Sequence, residues 1–386
     1  MNSIRNLKIL LLTAYMGFGI YIPFARLFFE ASPLSGGQYG ILMSIPGYIL
    51  ILSQPVWSLI SDYTGSLRRN FQIMLLGSGL FLFVFFAARS FFLSNYIALL
   101  VLFGFFSIFR TGGEPIMNSL SLSFVEGTGE NYGQVRLWSS VGWAVATVLG
   151  GYFFLRTSLE YLFPLSSAFF LVAALIAFPL EEPKRKTLRT MNVFKSREIK
   201  RALNNKKLWI FLIFIFLLWV GVSSADIFVP AYLERHFEFG LVGIGVFYAF
   251  QALAEVPFFY YGSEIMDELG VRFFLILGFG LFGLAWIIFG LVTASAMTFV
   301  VLSVRAVGFS FMTVGAVNYI DQVVTEETRT VGQSLFTVST FGLGAIVGPT
   351  LGGFLSQMFE LPILFLIGGS ICLFATLGLV LFWSVT

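Results

Sequence analysis

The sequence predicts an all-α polytopic membrane protein whose twelve transmembrane helices form two pseudo-symmetric six-helix bundles. Three observations predict it. The 386 residues are 58% hydrophobic and only 11% charged, whereas a soluble domain carries about a quarter charged residues. The apolar residues fall in runs of about 20, the length that crosses a hydrocarbon core of roughly 30 Å. A single long basic interval then separates six such runs from six more, and features of the first set recur in order in the second.

The first set spans Leu7 to Phe29, Gly40 to Ile60, Phe71 to Ala88, Tyr96 to Asn118, Val135 to Phe154 and Leu159 to Leu180. The first run is too long for a signal core and lacks a small-residue cleavage site, so it reads as a retained helix. The second set spans Leu208 to Pro230, Leu241 to Gly262, Phe273 to Val292, Ala296 to Val317, Val331 to Met358 and Leu361 to Trp383. Transmembrane β-strands would alternate apolar and polar residues; Leu208 to Val220 does not alternate. The 48 Phe and 39 Gly suit lipid-facing aromatic surface and close helix approach.

Domain organisation follows: residues 1–180 form an N-terminal bundle, 181–207 a basic cytoplasmic linker, and 208–386 a C-terminal bundle. The linker holds ten basic and three acidic residues. Its charge is expected against anionic head groups of the lipid bilayer rather than on nucleic acid. With the N-terminus in the cytoplasm, 17 of the 23 Lys and Arg fall on the cytoplasmic side, as the positive-inside rule requires. The expected location is therefore the plasma (inner) membrane, with both termini cytoplasmic.

The halves echo each other residue by residue. Ile22-Pro23 answers Val229-Pro230, and Pro55 answers Pro257. After the second span comes Asp62, Gly65, Arg68 and Arg69; after the eighth comes Asp267, Gly270 and Arg272. Gly133-Gln134 with Gly150-Gly151 matches Gly332-Gln333 with Gly352-Gly353. Duplication of this kind places a site between two bundles near the bilayer midplane.

The loop after the second span resembles the cytoplasmic signature of the major facilitator superfamily, G-x-x-x-D-R-x-G-R-R. Asp62, Gly65, Arg68 and Arg69 fit it, while Ser58 and Tyr63 depart from it. A glycine permits a tight turn there, and a carboxylate near guanidiniums can form a breakable latch. A second reading is a plain turn with positive anchors. Tyr132, Gly133, Arg136 and Trp138 open the fifth span in a pattern similar to the branch that holds nucleoside, phenylpropionate and lactose proton symporters. Glu255-Val256-Pro257 resembles the E-x-P of that branch. The resemblance covers the whole chain and implies a twelve-helix transporter working by alternating access.

Charge inside the spans supplies the candidate pathway, because a charged side chain at the bilayer centre costs about 2.5 to 3.5 kcal/mol on insertion scales. Arg110 and Glu114 lie four apart in the fourth span with Gly112 and Gly113 between them. Glu255 and Arg305 sit mid-span, and Asp226 lies toward the outer end of the seventh span. Glu255 reads as a carboxylate that changes protonation as water access alternates. Arg305 or Arg110 reads as a cation for that carboxylate or for an anionic or hydroxyl-bearing solute. The plainer alternative makes Arg110 with Glu114, and Arg305 with a neighbouring acid, ion pairs that neutralise each other.

The expected function is secondary active transport of a small-molecule substrate of nucleoside, sugar or aromatic acid class, coupled to protons, in a protein that works as a monomer. Export of hydrophobic compounds is the alternative, favoured by the aromatic content and by Gly344 to Gly353. A membrane-embedded enzyme is the more distant one: H-E-x-x-H, G-x-S-x-G and the phosphate-binding loop are all missing. Cys372 and His236 are each the sole residue of their type, so neither a metal site nor a cofactor is expected.

Overall fold

The computed structural model describes residues 2–125, 132–180, 204–325 and 328–385. Residues 181–203 of the expected linker lie outside the described residues. The chain runs through α1 (Asn2–Glu30), α2 (Gly36–Thr64), α3 (Leu67–Ala87), α4 (Arg89–Ser94), α5 (Tyr96–Thr111), α6 (Gly113–Val125), α7 (Tyr132–Arg156) and α8 (Leu162–Ala177). It continues through α9 (Lys206–Asp226), α10 (Val229–Phe237), α11 (Gly240–Leu269), α12 (Val271–Leu291), α13 (Ser295–Val323), α14 (Arg329–Thr337), α15 (Ala345–Leu355) and α16 (Leu361–Val385).

Among the described residues, 11 helical stretches are long and apolar enough to cross a membrane. The 29-residue α2 completes the set of twelve. Helix is forced here, because lipid offers no partner to a backbone N–H or C=O left outside the chain's own hydrogen bonds. Pro23, Pro257 and Pro349 therefore sit inside α1, α11 and α15 without ending them.

Among the described residues, the fourth, seventh and eleventh spans depart from single uninterrupted helices. The fourth is divided at Gly112 into α5 and α6. The seventh stops at Asp226 and is followed by the short α10, with Pro230 in its first turn, where the missing N–H costs nothing. The eleventh contains a π-helical stretch, Val338–Gly344, between α14 and α15.

The two loop motifs fold alike. Gly65 has φ +62° and Gly270 φ +78°, a left-handed backbone that a side chain would strain. Ser66 then caps α3 by accepting from the Arg69 amide, a standard N-cap.

Two compact units form. One comprises Met1–Leu34, Tyr48–Leu188 and Leu233–Ala252; the other comprises Ser35–Gly47, Arg189–Tyr232 and Leu253–Thr386. In the first unit α1 packs on α7 and α8. Its backbone comes so close that a Cβ at Gly19 would lie 2.8 Å from the Trp143 carbonyl oxygen. Phe28 meets Phe163 and Phe29 meets Phe103 edge-to-face, the arrangement aromatic quadrupoles favour, while Phe85 packs tilted on Phe29 and Phe163. Two buried hydroxyls bond to carbonyls of neighbouring helices: Ser166 donates to Gly17 at 2.8 Å and Ser167 to Gly79 at 2.7 Å.

In the second unit α12 packs on α13 and α16, and α9 on α15 and α16. Phe274 stacks on Phe311 at 4.1 Å, and Trp286 stacks on Phe365 at 5.4 Å.

Candidate functional site

In the first unit Arg110 lies half-buried in the last turn of α5. A cation there faces the carbonyl end of its own helix, which favours it. Its guanidinium lies over the Tyr21 ring, 5.8 Å from the centroid, and Tyr21 meets Phe106 edge-on at 5.0 Å. Glu114 follows the division at Gly112; its side chain, and with it the expected pairing with Arg110, lies outside the described residues.

The division itself is held by side chains. Trp57 Nε1 donates to the Ile108 carbonyl at 2.7 Å. Thr111 Oγ1 donates to the Ser107 carbonyl at 2.8 Å and lies 2.9 Å from Ser53 Oγ. The Gly112 amide bonds to the Arg110 carbonyl, so the Trp57 donor serves the Ile108 carbonyl that a regular helix would have paired with Gly112.

In the second unit Arg305 Nη2 donates to Asp226 Oδ1 at 2.9 Å. The side chains are 15% and 20% exposed, so this is a largely desolvated pair. The guanidinium also lies over Phe282 and Trp286, at 5.6 and 5.2 Å, while Arg305 Nε is buried with no hydrogen-bond partner. Arg305 thus meets its carboxylate from the end of the seventh span. Glu255 is half-buried in the middle of α11, and its carbonyl lies 3.5 Å from the Ser310 hydroxyl.

The motif residues divide. Arg68 caps α8 by donating to the Phe178 carbonyl, while Arg69 is exposed. The Asp62 side chain lies outside the described residues. Asp267 and Arg272 are both exposed around Gly270. In the fifth span Arg136 lies over the Tyr15 ring at 4.9 Å, and Trp138 is 40% exposed. The side chains of Tyr132 and the surroundings of Gly133 lie outside the described residues.

A profile of the MFS_1 like family matches residues 4–367. The chain belongs to the MFS_1 like family. Full-length relatives of this transporter include the uncharacterized transporter YwbF of Bacillus subtilis (strain 168), 23% identical over 378 residues that cover 97% of this chain and 92% of that protein. The maltose permease of Geobacillus stearothermophilus is 24% identical over 355 residues, 91% of this chain and 87% of its own. The putative nucleoside transporter YegT of Escherichia coli (strain K12) is 20% identical over 373 residues, 92% and 85% of the two chains. Among solved structures, the nucleoside transporter NupG superposes with a TM-score of 0.87 at 15% identity, over 99% of each chain. The fold of the transporter is thus the twelve-helix fold of that superfamily.

Several polar contacts of the transporter were not legible in sequence. Arg235 of α10 donates to Glu30 at 2.6 Å, across 205 positions of chain. Arg329 pairs with Asp321, and Gln333 Nε2 donates to the Val317 carbonyl at 3.0 Å, tying α14 to α13. Trp57 and Ser53 carry no motif. Their only signal is a Trp and a Ser one helical turn apart in the second span.

Proposed function

We propose that the transporter moves a small, hydroxyl-bearing organic solute of the sugar or nucleoside class by alternating access, with proton flow as the driving gradient. The relatives named as a maltose permease and a putative nucleoside transporter support the solute class. Aromatic acids are the third class the sequence left open.

One observation carries the proton coupling: Glu255 is a carboxylate half-buried inside a 30-residue apolar helix. Such a group is costly unless it loses its charge or meets a cation. Alternation between water-exposed and desolvated states turns that cost into proton uptake and release. Arg110, on the ring of Tyr21, contributes a fixed cation to the solute path. Arg305 and Asp226 serve as a neutral pair that keeps the second unit's charge balanced while the solute passes. The carrier works as a monomer in the plasma membrane with both termini cytoplasmic, as the distribution of Lys and Arg supports.

The test is uptake of radiolabelled maltose, uridine and 3-phenylpropionate into proteoliposomes under an imposed pH gradient. Accumulation of one of the first two above equilibrium, lost on collapsing the gradient, is expected. In E255Q, accumulation should fall at least tenfold while solute exchange persists. Equal accumulation with and without the gradient overturns the coupling.

A further inference from the structure

The division of the fourth span at Gly112 is a built feature, and two residues of the second span build it. We infer that Trp57 and Ser53 are positioning residues for Arg110: they hold the division between α5 and α6 and so fix the direction in which its guanidinium points. The inference rests on the proposed place of Arg110 in the solute path.

The geometry runs from backbone to side chain. Where α5 stops, at Thr111, the Gly112 amide bonds back to the Arg110 carbonyl instead of continuing the regular ladder. The Ile108 carbonyl, four residues before Gly112, then needs another donor. Trp57 supplies it through Nε1 at 2.7 Å. An indole N–H serves this purpose well in a membrane, because it donates one directed bond and buries an apolar ring around it.

The ring position depends in turn on Gly112. A Cβ there would lie 2.5 Å from Trp57 Cδ1 and 2.5 Å from Met74 Cε, closer than packed carbons can approach. The absence of a side chain at Gly112 is what admits the indole. One turn back along α2, Ser53 Oγ meets Thr111 Oγ1 at 2.9 Å, and Thr111 also donates to the Ser107 carbonyl at 2.8 Å. Trp57 is 6% exposed and Ser53 5%, so neither contact competes with water.

Arg110 lies between these two grips, with the Ile108 carbonyl on one side and Thr111 on the other. Its guanidinium lies over the Tyr21 ring, and the Trp57 and Ser53 contacts hold the end of the helix that carries it. Interrupted helices in transporters commonly mark where solute or ion is held. Here the interruption is maintained from a neighbouring helix.

The experiment compares wild type with W57F, S53A, G112A and R110A, each in proteoliposomes with whichever of maltose, uridine or 3-phenylpropionate wild type takes up. W57F keeps the ring and removes only the donor; it should raise KM about tenfold at nearly constant kcat, as loss of one buried hydrogen bond implies. S53A should raise KM about threefold, and W57H, which retains a ring N–H, should recover part of the loss. Independently of any solute, hydrogen–deuterium exchange over 107–113 should change in W57F and G112A. Unaltered exchange there, or a W57F that lowers kcat with KM unchanged, overturns the positioning role. If R110A leaves KM unchanged, the place of Arg110 in the path fails instead. If wild type takes up none of the three solutes, the proposed function fails and the inference with it.

Discussion

Arg110 and Arg305 show two ways of keeping a guanidinium inside an apolar bundle. Arg305 sits within the unbroken helix α13 and is neutralised by a carboxylate from another helix, Asp226, at 2.9 Å, with two aromatic rings around it. Arg110 sits in the last turn of α5, next to the interruption at Gly112, and rests on Tyr21. The first solution is an ion pair that any continuous helix can host. The second needs a particular backbone, and a backbone of that kind needs side chains to satisfy it. The difference teaches that the charge in the second unit is anchored by an ion pair with flanking rings, whereas that in the first lies beside an interruption held by side chains of a neighbouring helix.

The largest test of this contrast breaks the pair. D226N leaves Arg305 largely buried without its counter-charge, and should destabilise the purified protein by about 3 kcal/mol, within the range for removing one member of a buried pair. The double variant D226N/R305Q should recover most of that loss in thermal unfolding. If D226N melts like wild type, Arg305 is held by its rings and not by its carboxylate, and the contrast with Arg110 disappears.

A smaller test uses what the units share. Gly65 and Gly270 both have positive φ, so G65A and G270A should each cost about 1 kcal/mol and lower the melting temperature by similar amounts. Unequal losses would show that the paired loops carry different loads. The smallest effect belongs to the Glu30–Arg235 pair, whose arginine side chain is 56% exposed. E30Q should cost well under about 1 kcal/mol, because water and salt already screen such a contact. A loss as large as that of D226N would place this pair among the desolvated ones.

Much of this was readable in advance, and the reason is the solvent. Runs of about 20 apolar residues have one stable form in lipid, so the twelve spans could be located from composition alone. The two glycines could be read as turns because each follows an acidic residue at the end of an apolar run, Gly65 before Arg68 and Arg69 and Gly270 before Arg272. Partners were another matter. Asp226, Glu30 and Ser53 are joined to residues 79, 205 and 58 positions away, and no local pattern records such distances. The division at Gly112 was visible only as two adjacent glycines between two charges, a pattern equally consistent with a continuous helix that leaves room for both side chains.

By itself the sequence determined that this chain crosses the membrane as helices, that its halves correspond, and which ionisable groups lie within apolar runs. These follow from hydropathy and order along the chain, which are local quantities. Only the tertiary structure decided that Arg305 meets Asp226, that Arg68 caps α8, and that an indole from the second span completes the backbone of the fourth. Each of those depends on which helix faces are brought within about 3 Å of one another, and that proximity is a property of packing rather than of order.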